Sequence, residues 1–429
     1  MAGGGVSVQG ENISDIADTG GAVELCVTEA QEQGNASRLV YQPQRFALGL
    51  GCARNADPDE LWALVNDTLH ANDIGHGAIA CVASIDIKGD EPAMNEVARR
   101  LGVPFRLFTA GELEAQADNL ANPSDVVFAE VGCHGVSEGA ALACGGALVV
   151  EKQKTKNATC AMTRAEAPIV ELAGQSRGRL SVVGIGPGQA AWRTPEVSTL
   201  VAEAEELVGY GLYIDLLGPL AIGKERSDFP LGGEEARCRY ALEQAAKGKN
   251  VALVCSGDAG IYAMGALVFE LLDRAQHEEG VSDAARRVEV ICSPGVSALQ
   301  GAAARAGAPL GHDFCTISLS DLLTPRDDII RRLNAAAQGD FVIAFYNPVS
   351  KTRRTLLAEA RDILLQHRPA DTPVMLASNL GRPTELVRYR RLDELEVDEV
   401  DMLTVVLIGS SNTRLAQLGE GPRMFTPRG

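Results

Sequence analysis

The sequence is poor in aromatic residues, in histidine and in basic residues, and each shortage narrows what the protein can be. Phe, Trp and Tyr make up 4% of the 429 residues, only six residues are His, and 39 Lys and Arg face 57 Asp and Glu, for a net charge of −18. Nucleic acid and anionic membranes repel a chain this acidic. We therefore expect no nucleic-acid partner and no membrane partner, while a local basic pocket stays possible.

Long apolar runs and closely spaced cysteines are missing as well. No stretch approaches the roughly 20 apolar residues of a membrane-spanning helix, and the opening residues MAGGGVSVQGENISD lack the basic start and apolar segment of a signal peptide. The sequence thus predicts a soluble cytoplasmic protein. None of the ten cysteines forms a Cys-x-x-Cys pair, so we expect mostly buried, reduced thiols and no bound metal.

Composition and patterning divide the chain into segments of different character. Residues 1–44 hold six acids and one base and are rich in Gly, Gln, Asn and Ser, which predicts a mostly disordered acidic leader. Beyond it, short apolar runs alternate with helical patterns, which is typical of α/β architecture. We therefore expect a small α/β domain at 45–165, a linker at 166–178 and a second α/β region whose break near 312–326 separates two lobes, 179–312 and 313–429.

Local signals place the first helix and the last strand of the small domain. Asp57 can cap a helix, Pro58 fits its first turn, and Glu60 completes a capping box. The segment ALVVEKQK is the strand that we expect to be the last one of this domain.

A glycine-rich loop, GIGPG at 184–188, follows a predicted strand and invites a dinucleotide-binding interpretation. Gln189 stands where the Rossmann fingerprint needs its third glycine, and the next helix starts only near its predicted cap, Thr194. Pro187 also removes an amide donor from the loop. A nicotinamide or flavin site is therefore disfavoured, and a purely structural turn remains an alternative for this motif alone.

Four further loops follow predicted strands: SGDAGIY at 256–262, SPGVSA at 293–298, YNP at 346–348 and SNLGRPTE at 378–385. Strand ends of an open α/β sheet face one crevice, where ligands bind. Small residues let a ligand approach the backbone closely. The loops together predict a cleft that holds a polar cofactor.

In this order, GIGPG, SGDAGIY, SPGVSA, FYNP, SNLGRPTE and TVVLIGSSNT resemble the tetrapyrrole (class III) methyltransferases of corrin synthesis. The resemblance covers about 179–415 and rests on six spaced motifs. It implies two αβα lobes with S-adenosyl-L-methionine in the cleft between them. The expected fold class is therefore α/β, with a small N-terminal α/β domain followed by a two-lobed αβα tetrapyrrole methyltransferase fold.

Within that family, VGYGLYIDLLGPL, SGDAGIYAMGALVFE and FYNPVSKTRR most resemble the members that methylate precorrin-3B at ring carbon 17. The resemblance implies an S-adenosylmethionine-dependent C-methyltransferase of cobalamin (vitamin B12) biosynthesis that also contracts the macrocycle, giving precorrin-4. Alternatives are the cobalt-containing equivalent acting on cobalt-factor III, methylation at another corrin position or of a diphthine precursor, and a cofactor-binding scaffold that recruits the next enzyme.

The resemblance also implies which residues contact the cofactor: Gly186, Pro187, Gly188, Ser256, Gly257, Asp258, Ile261, Ser297, Ala298, Asn347 and Gly381. Three of these have a simpler alternative. Asp258 and Ser297 are both suited to cap a helix, and Asn347 before Pro348 is suited to a turn.

The implied substrate carries many carboxylates, which a chain of −18 would repel unless its cleft is locally positive. Residues 324–391 hold twelve bases and seven acids, and the arginine fork suits carboxylates. Arg353, Arg354 and Arg382 are the expected substrate contacts. At least half of the arginines in this segment are expected to be solvated.

The ring contraction that the family carries out needs a base or a hydrogen-bond donor near the oxygen of the bridging carbon. Tyr210, Tyr213 and Asp215 lie at a predicted strand end beside the cleft and are the catalytic candidates. Asp215 is equally compatible with a surface position.

The first domain has a resemblance of its own. GCARNADPDELWALV, ASIDIKGDEPAMNEVARRLGVPFRLFTAGEL and EKQKTKNATCAMTRA resemble the small cobalamin-synthesis domain found alone or at the C-terminus of a lactone-opening protein. The chain is thus expected to be a bifunctional fusion. The implied partners are a tetrapyrrole substrate, a second copy of the chain in a homodimer, and neighbouring corrin-pathway enzymes.

Overall fold

A computed structural model describes residues 6–9, 23–350 and 353–428. The chain forms two compact units. The first unit consists of residues up to 179 together with 243–249 and 282–289, and the second consists of 180–242, 250–281 and 290–429. The boundary near 179 lies at the end of the expected linker.

The first unit contains two sheets, a three-stranded parallel sheet in the order β1-β2-β3 and a six-stranded mixed sheet in the order β7-β8-β4-β5-β6-β9. Its elements are β1 Val6–Gln9, β2 Val23–Val27, β3 Arg38–Tyr41, β4 Phe46–Cys52, α1 Pro58–Ala71, β5 Ile79–Ile85, α2 Pro92–Leu101, β6 Phe105–Phe108, α3 Ala110–Glu114, α4 Asp125–Val131, α5 Val136–Ala143, β7 Ala147–Lys154, β8 Ala158–Arg164 and β9 Gln175–Ser176.

Three expectations for this unit are wrong. The leader is not disordered over 23–44, because β2 and β3 pair there and Glu29 forms ion pairs with Arg45 and Arg164. Residues 1–5 and 10–22 lie outside the described residues. Strand β7 is not the last strand, since β8 follows it and pairs with both β7 and β4.

The third error concerns the start of α1. Asp57 caps this helix by accepting from the amide of Asp59, and Pro58 occupies the first turn, as expected. Glu60 does not complete a capping box, because its carboxylate accepts from the side chains of Thr155 and Asn157 at 2.6 and 2.9 Å. A long-range partner on the β7–β8 connection therefore takes the place of a local one.

The second unit continues the strand–helix alternation. Its elements are β10 Arg179–Gly184, α6 Pro195–Glu203, β11 Glu206–Tyr210, α7 Gly211–Asp215, β12 Glu225–Phe229, α8 Glu234–Ala245, β13 Asn250–Cys255, α9 Gly265–Asp273, β14 Glu289–Ser293, α10 Ala298–Ala306, β15 Gly307–Ala308, β16 Phe314–Ser318, α11 Arg326–Gln338, β17 Val342–Tyr346, α12 Thr355–Leu364, β18 Pro373–Ser378, β19 Leu386–Arg391, β20 Thr404–Ile408, β21 Arg414–Leu418 and β22 Gly421–Phe425.

Two five-stranded sheets define two lobes. The N-lobe is built on the sheet β12-β11-β13-β10-β14 and the C-lobe on the sheet β16-β17-β20-β18-β19, with a small sheet β15-β22-β21 beside the latter. In the N-lobe, β11 pairs in parallel with β12 and β13. In the C-lobe, β20 runs antiparallel to β17 and β18, so the beginning of β20 meets the ends of its neighbours.

The lobe boundary differs from the expected residue 312. Helix α10 buries Leu299, Ala302 and Ala306 in the same core cluster as strand residues of β17 and β18 of the C-lobe. The packing boundary therefore falls between the end of β14 and the start of α10. The later break was expected because a second series of strands and helices follows it, and the order of elements along the chain does not show that α10 packs against the C-lobe.

All ten cysteines are free thiols; six are buried, and Cys292 is exposed. Within the described ranges, no group of three or more His, Cys, Asp and Glu side chains could hold a metal ion. None of the helices in this part of the chain has the length and apolar character needed to cross a membrane.

Candidate active site in the cleft of the second unit

A cavity with about 800 Å³ of empty space, part of it open to solvent, lies between the N-lobe and the C-lobe. Ten of the residues expected from the sequence line it: Pro187, Tyr213, Ser256, Gly257, Asp258, Ile261, Ser297, Ala298, Asn347 and Arg382. The loops that the sequence singled out therefore do meet in one cleft.

The N-lobe loops are tied together backbone to backbone. Gly186 and Gly257 exchange two amide-to-carbonyl hydrogen bonds, of 3.1 and 2.9 Å. A Cβ atom on Gly295 would lie 2.1 Å from the carbonyl oxygen of Gly257, a distance that no side chain can occupy. Only glycine fits at position 295, because the backbone of the SPGVSA loop lies directly against the backbone of the SGDAGIY loop.

Asp258 connects two of these loops through its carboxylate. Oδ1 accepts from the amide of Gly260 at 2.8 Å, and Oδ2 accepts from the amide of Gly295 at 3.0 Å. The helix-cap alternative is wrong, because α9 begins only at Gly265 and has Met264 at its cap position. Asp258 instead joins two of the loops and lies on the cavity wall itself.

Ser297 does cap a helix, and it also lines the cavity. Its hydroxyl accepts from the amide of Gln300, whose side chain accepts in return from the amide of Ser297 at 2.7 Å. Capping the helix and lining the cavity are therefore compatible in Ser297, and its contact with a cofactor stays a prediction. The capping box fixes the position of the N-terminus of α10 at the cavity wall.

The GIGPG loop rests on the SNLGRPTE loop of the C-lobe. A Cβ on Gly188 would lie 2.6 Å from the carbonyl oxygen of Leu380, and Gly381 has the left-handed φ of 71°. Gly186, Gly188 and Gly381 are not on the cavity wall; they allow the loops that form it to approach one another. Arg382 lies on the wall, and its Nε donates to the carbonyl of Pro187 at 3.3 Å.

A charged side chain holds the SNLGRPTE loop in place. Glu385 accepts from the amide of Gly381 and from Nε of Arg305, both at 2.6 Å. The guanidinium of Arg305 lies 4.6 Å from the ring centre of Trp192, just after the GIGPG loop. Sequence reasoning missed this network, because its members are distant in the chain.

The three catalytic candidates are in different places. Tyr213 lines the cavity, and Tyr210 packs edge-on against it with ring centres 5.2 Å apart. Burial raises the pKa of Tyr213, so its hydroxyl stays protonated. Asp215 is not on the wall; it forms an exposed ion pair with Arg226 at 2.7 Å, as the surface alternative predicted.

Two of the three expected substrate arginines are also outside the wall. Arg353 donates to the hydroxyl of Ser320 at 2.6 Å and faces Asp321 at 3.7 Å, and Arg354 pairs with Asp398 at 2.8 Å. The charge count that selected them is correct, but it does not show which acids neutralise which bases. Of the three expected substrate arginines, Arg382 is the one that lies on the cavity wall.

The wall also contains residues that the sequence analysis did not select as site residues, although four of them lie in the loops that it singled out: Tyr262, Tyr346, Asn379 and Leu380, and, outside those loops, Ala377, Met402, Leu403, Thr404 and Val405. Tyr262, Asn347 and Asn379 all have left-handed backbones, with φ of 50°, 49° and 51°. The turn interpretation of Asn347 is thus correct, together with its position on the wall. Asn in SNLG was a detectable signal for a left-handed residue; a tyrosine was not.

Two family models match the chain. The model for the tetrapyrrole (corrin/porphyrin) methylases matches residues 179–396, which is half of the chain. The model for the cobalamin synthesis G C-terminus matches residues 46–163. The two matches fall on the two regions for which the sequence motifs suggested separate resemblances.

Individual relatives agree with the first match. The precorrin-3B C(17)-methyltransferase of Sinorhizobium sp is 44% identical over 252 residues, covering 58% of this chain and 96% of the relative. The probable cobalt-factor III C(17)-methyltransferase of Salmonella typhimurium is 42% identical over 58% of this chain and 98% of the relative. The crystal structure of the methyltransferase CobJ is similar with a TM-score of 0.53 and 38% identity, over 58% of this chain and all of that one.

The cleft, its glycine-tied loops and these similarities lead to one conclusion. The chain belongs to the tetrapyrrole (corrin/porphyrin) methylases.

Proposed function

We propose that this chain methylates precorrin-3B at ring carbon 17 with S-adenosyl-L-methionine and contracts the macrocycle to precorrin-4. The observation that carries the proposal is the cavity between the lobes, whose wall combines the N-lobe loops with Arg382 and Tyr213. The 44% identity to a relative named for this reaction supports the same substrate.

The chemistry of the wall fits the methyl donor. The loops around Ser256–Asp258 and Ser297–Ala298 offer polar groups, among them the hydroxyls of Ser256 and Ser297, and Leu380, Met402 and Val405 offer apolar surface. These residues, with Pro187, Ile261 and Asn347, would hold it, while Gly186, Gly188 and Gly381 shape the loops. When bound, S-adenosyl-L-methionine supplies a methyl group that a positively charged sulfur has already activated. The work left to the protein is alignment and the exclusion of water.

Two side chains of the wall are suited to the substrate. Arg382 offers a guanidinium for a carboxylate of the tetrapyrrole. Tyr213, kept protonated by burial, would donate a hydrogen bond to the oxygen on which charge develops during ring contraction. Of the original candidates we retain Tyr213 as the donor and Tyr210 as the ring that packs against it.

The test is incubation of the purified chain with methyl-labelled S-adenosyl-L-methionine and precorrin-3B. The expected product carries one added label and the absorption spectrum of a contracted ring. An unlabelled and spectrally unchanged pigment would refute the methyltransferase proposal. Binding of S-adenosylhomocysteine without turnover of any tetrapyrrole would instead favour the scaffold alternative.

A second candidate substrate is cobalt-factor III, since a relative with 42% identity is named for it. Parallel reactions with the cobalt-containing and the cobalt-free substrate separate the two. We expect the higher kcat/KM for precorrin-3B; the reverse order would assign the chain to the cobalt-containing step.

We further propose that the chain works as a cytoplasmic homodimer and meets neighbouring corrin-pathway enzymes through its first unit, which resembles another cobalamin-synthesis domain. Light scattering of the purified chain should give twice the monomer mass. A monomer at all concentrations would contradict the dimer.

A further inference from the structure

The strained tyrosine of the cavity wall has an unusual set of contacts. Tyr262 belongs to the N-lobe loop that carries Asp258, yet its hydroxyl donates to the carbonyl oxygen of Thr316, in β16 of the C-lobe, at 3.0 Å. Its backbone has φ of 50°, which is costly for a bulky side chain. Such strain persists where the surroundings enforce it, and it concentrates at functional sites.

The partner of this residue is a second tyrosine from the opposite lobe. The ring centres of Tyr262 and Tyr346 lie 5.1 Å apart, and the ring planes are inclined by 49°. Tyr346 ends β17, and its hydroxyl accepts from the amide of Leu299, near the start of α10, at 2.9 Å. Burial of Tyr346 raises its pKa, so this hydroxyl remains neutral at physiological pH.

The two side chains therefore connect three parts of the wall. Tyr262 reaches from the SGDAGIY loop to β16, the ring contact joins it to β17, and Tyr346 fixes the first turn of α10. Both tyrosines also line the cavity. Any change in the separation of the lobes must stretch the Tyr262–Thr316 hydrogen bond or break the ring contact.

We propose that Tyr262 and Tyr346, the tyrosine clasp, are positioning residues that set the width of the cleft for methyl transfer. The proposal rests on the proposed function, because it assigns the donor mainly to the N-lobe loops and the acceptor to a site reached across the cleft. Fixing the lobe separation fixes the distance between them. An error of about 1 Å in such a distance can cost about a hundredfold in rate.

The experiment compares Tyr262→Phe, Tyr346→Phe and the control Tyr389→Phe in the full chain. Tyr389 packs beside the C-lobe core and is not among the residues of the cavity wall. Each variant is measured for melting temperature, for the Kd of S-adenosylhomocysteine by calorimetry, and for kcat and KM of methyl transfer.

We expect the two clasp variants to bind S-adenosylhomocysteine within about twofold of the parent, because neither substitution removes a residue that we assign to the donor. Their kcat should fall about tenfold or more, and the double variant should lose less than the product of the two single losses, since the residues act as a unit. Tyr389→Phe should match the parent.

Three results would overturn the clasp. Parental kcat in Tyr262→Phe is one, and a fall in kcat that only follows a lower melting temperature is another. An equal loss of cofactor affinity and rate is the third. Failure of the proposed function looks different, because the parent chain itself would then transfer no methyl group to either tetrapyrrole.

A further variant separates the backbone strain at Tyr262 from the contacts of its side chain. Tyr262→Gly removes the ring and the hydroxyl but relieves the left-handed backbone. We expect its melting temperature to stay at or above that of Tyr262→Phe while its kcat falls further. A Tyr262→Gly chain with parental kcat would show that the loop, and not the side chain, sets the geometry.

Discussion

The N-lobe and the C-lobe contribute to the same cavity in different ways. The N-lobe part of the wall is built on loops that approach so closely that Gly295 has no room for a Cβ atom, and Tyr213 and Tyr262 add side chains to it. The C-lobe offers side chains, among them Tyr346, Asn347 and Arg382. A backbone wall tolerates almost no substitution, whereas a side-chain wall can change its specificity. We therefore expect the N-lobe loops to fix the shape of the donor site, and Arg382 of the C-lobe to act on the substrate.

The largest effect on cofactor affinity should come from placing a side chain at Gly295, where two N-lobe loops touch. In Gly295→Val the new side chain would collide with the carbonyl of Gly257, 2.1 Å from the Cβ position, and backbone cannot yield as a side-chain end can. We expect S-adenosylhomocysteine affinity to fall more than about a hundredfold, together with a lower melting temperature.

Gly260→Ala is the matched control, because the nearest atom to its Cβ would be the Asp258 carboxylate oxygen at 3.3 Å. We expect it to retain most of the affinity. If Gly295→Val bound S-adenosylhomocysteine as tightly as this control, close backbone packing of the N-lobe loops would not be what shapes the site.

A smaller effect is expected from Asp258. Asp258→Ala removes the acceptor for the amides of Gly260 and Gly295; hydrogen bonds to a charged group are worth about 1.5–3 kcal/mol. Calorimetry should show an affinity for S-adenosylhomocysteine reduced about ten- to a hundredfold. Asp258→Asn keeps one acceptor oxygen and should lie between this variant and the parent; an unchanged affinity in Asp258→Ala would mean that the loops hold without it.

Much of this site could be predicted from the sequence, because its signals are local. Small residues after predicted strands predicted the loops, and the helix cap at Ser297 and the turn at Asn347 followed from residue preferences. What failed depends on partners distant in the chain. Glu60 accepts a hydrogen bond from Asn157 instead of closing a capping box in its own helix. Helix α10 follows an N-lobe strand along the chain but packs against strands of the C-lobe.

The arginines of the C-lobe illustrate the same limit. Their number predicted a positive cleft, but Arg390 pairs with Glu399, Arg391 with Asp393 and Arg354 with Asp398. Pairing is a property of the folded surface, and a count along the chain cannot show it. The useful quantity is therefore the set of charged side chains on the cavity wall, which holds Arg382 and Asp258; the carboxylate of Asp258 accepts from two backbone amides.

This difference gives a third prediction, about the C-lobe alone. Arg382→Gln should raise KM for the tetrapyrrole about tenfold, since a charged hydrogen bond is lost, with little change in the Kd of S-adenosylhomocysteine. Arg354→Gln, whose partner Asp398 is exposed, should change both by less than about twofold. Steady-state kinetics should be measured for both variants. An equal rise in KM for the tetrapyrrole in the two variants would mean that the paired arginines also face the substrate.

The smallest expected effect concerns alkaline stability and two buried thiols of the N-lobe. Burial raises the pKa of two N-lobe thiols, Cys238 and Cys255, to about 12, whereas an unfolded thiol titrates near 8.5. Because the folded pKa is the higher one, these thiols stabilise the fold fully below pH 8.5 and lose that contribution as the pH rises toward 12. At pH 10 the loss is about 1–2 kcal/mol for each thiol. Urea unfolding between pH 8 and 10 should show this decline, and Cys255→Ala should make it shallower; an equally steep decline in that variant would place the titrating groups elsewhere.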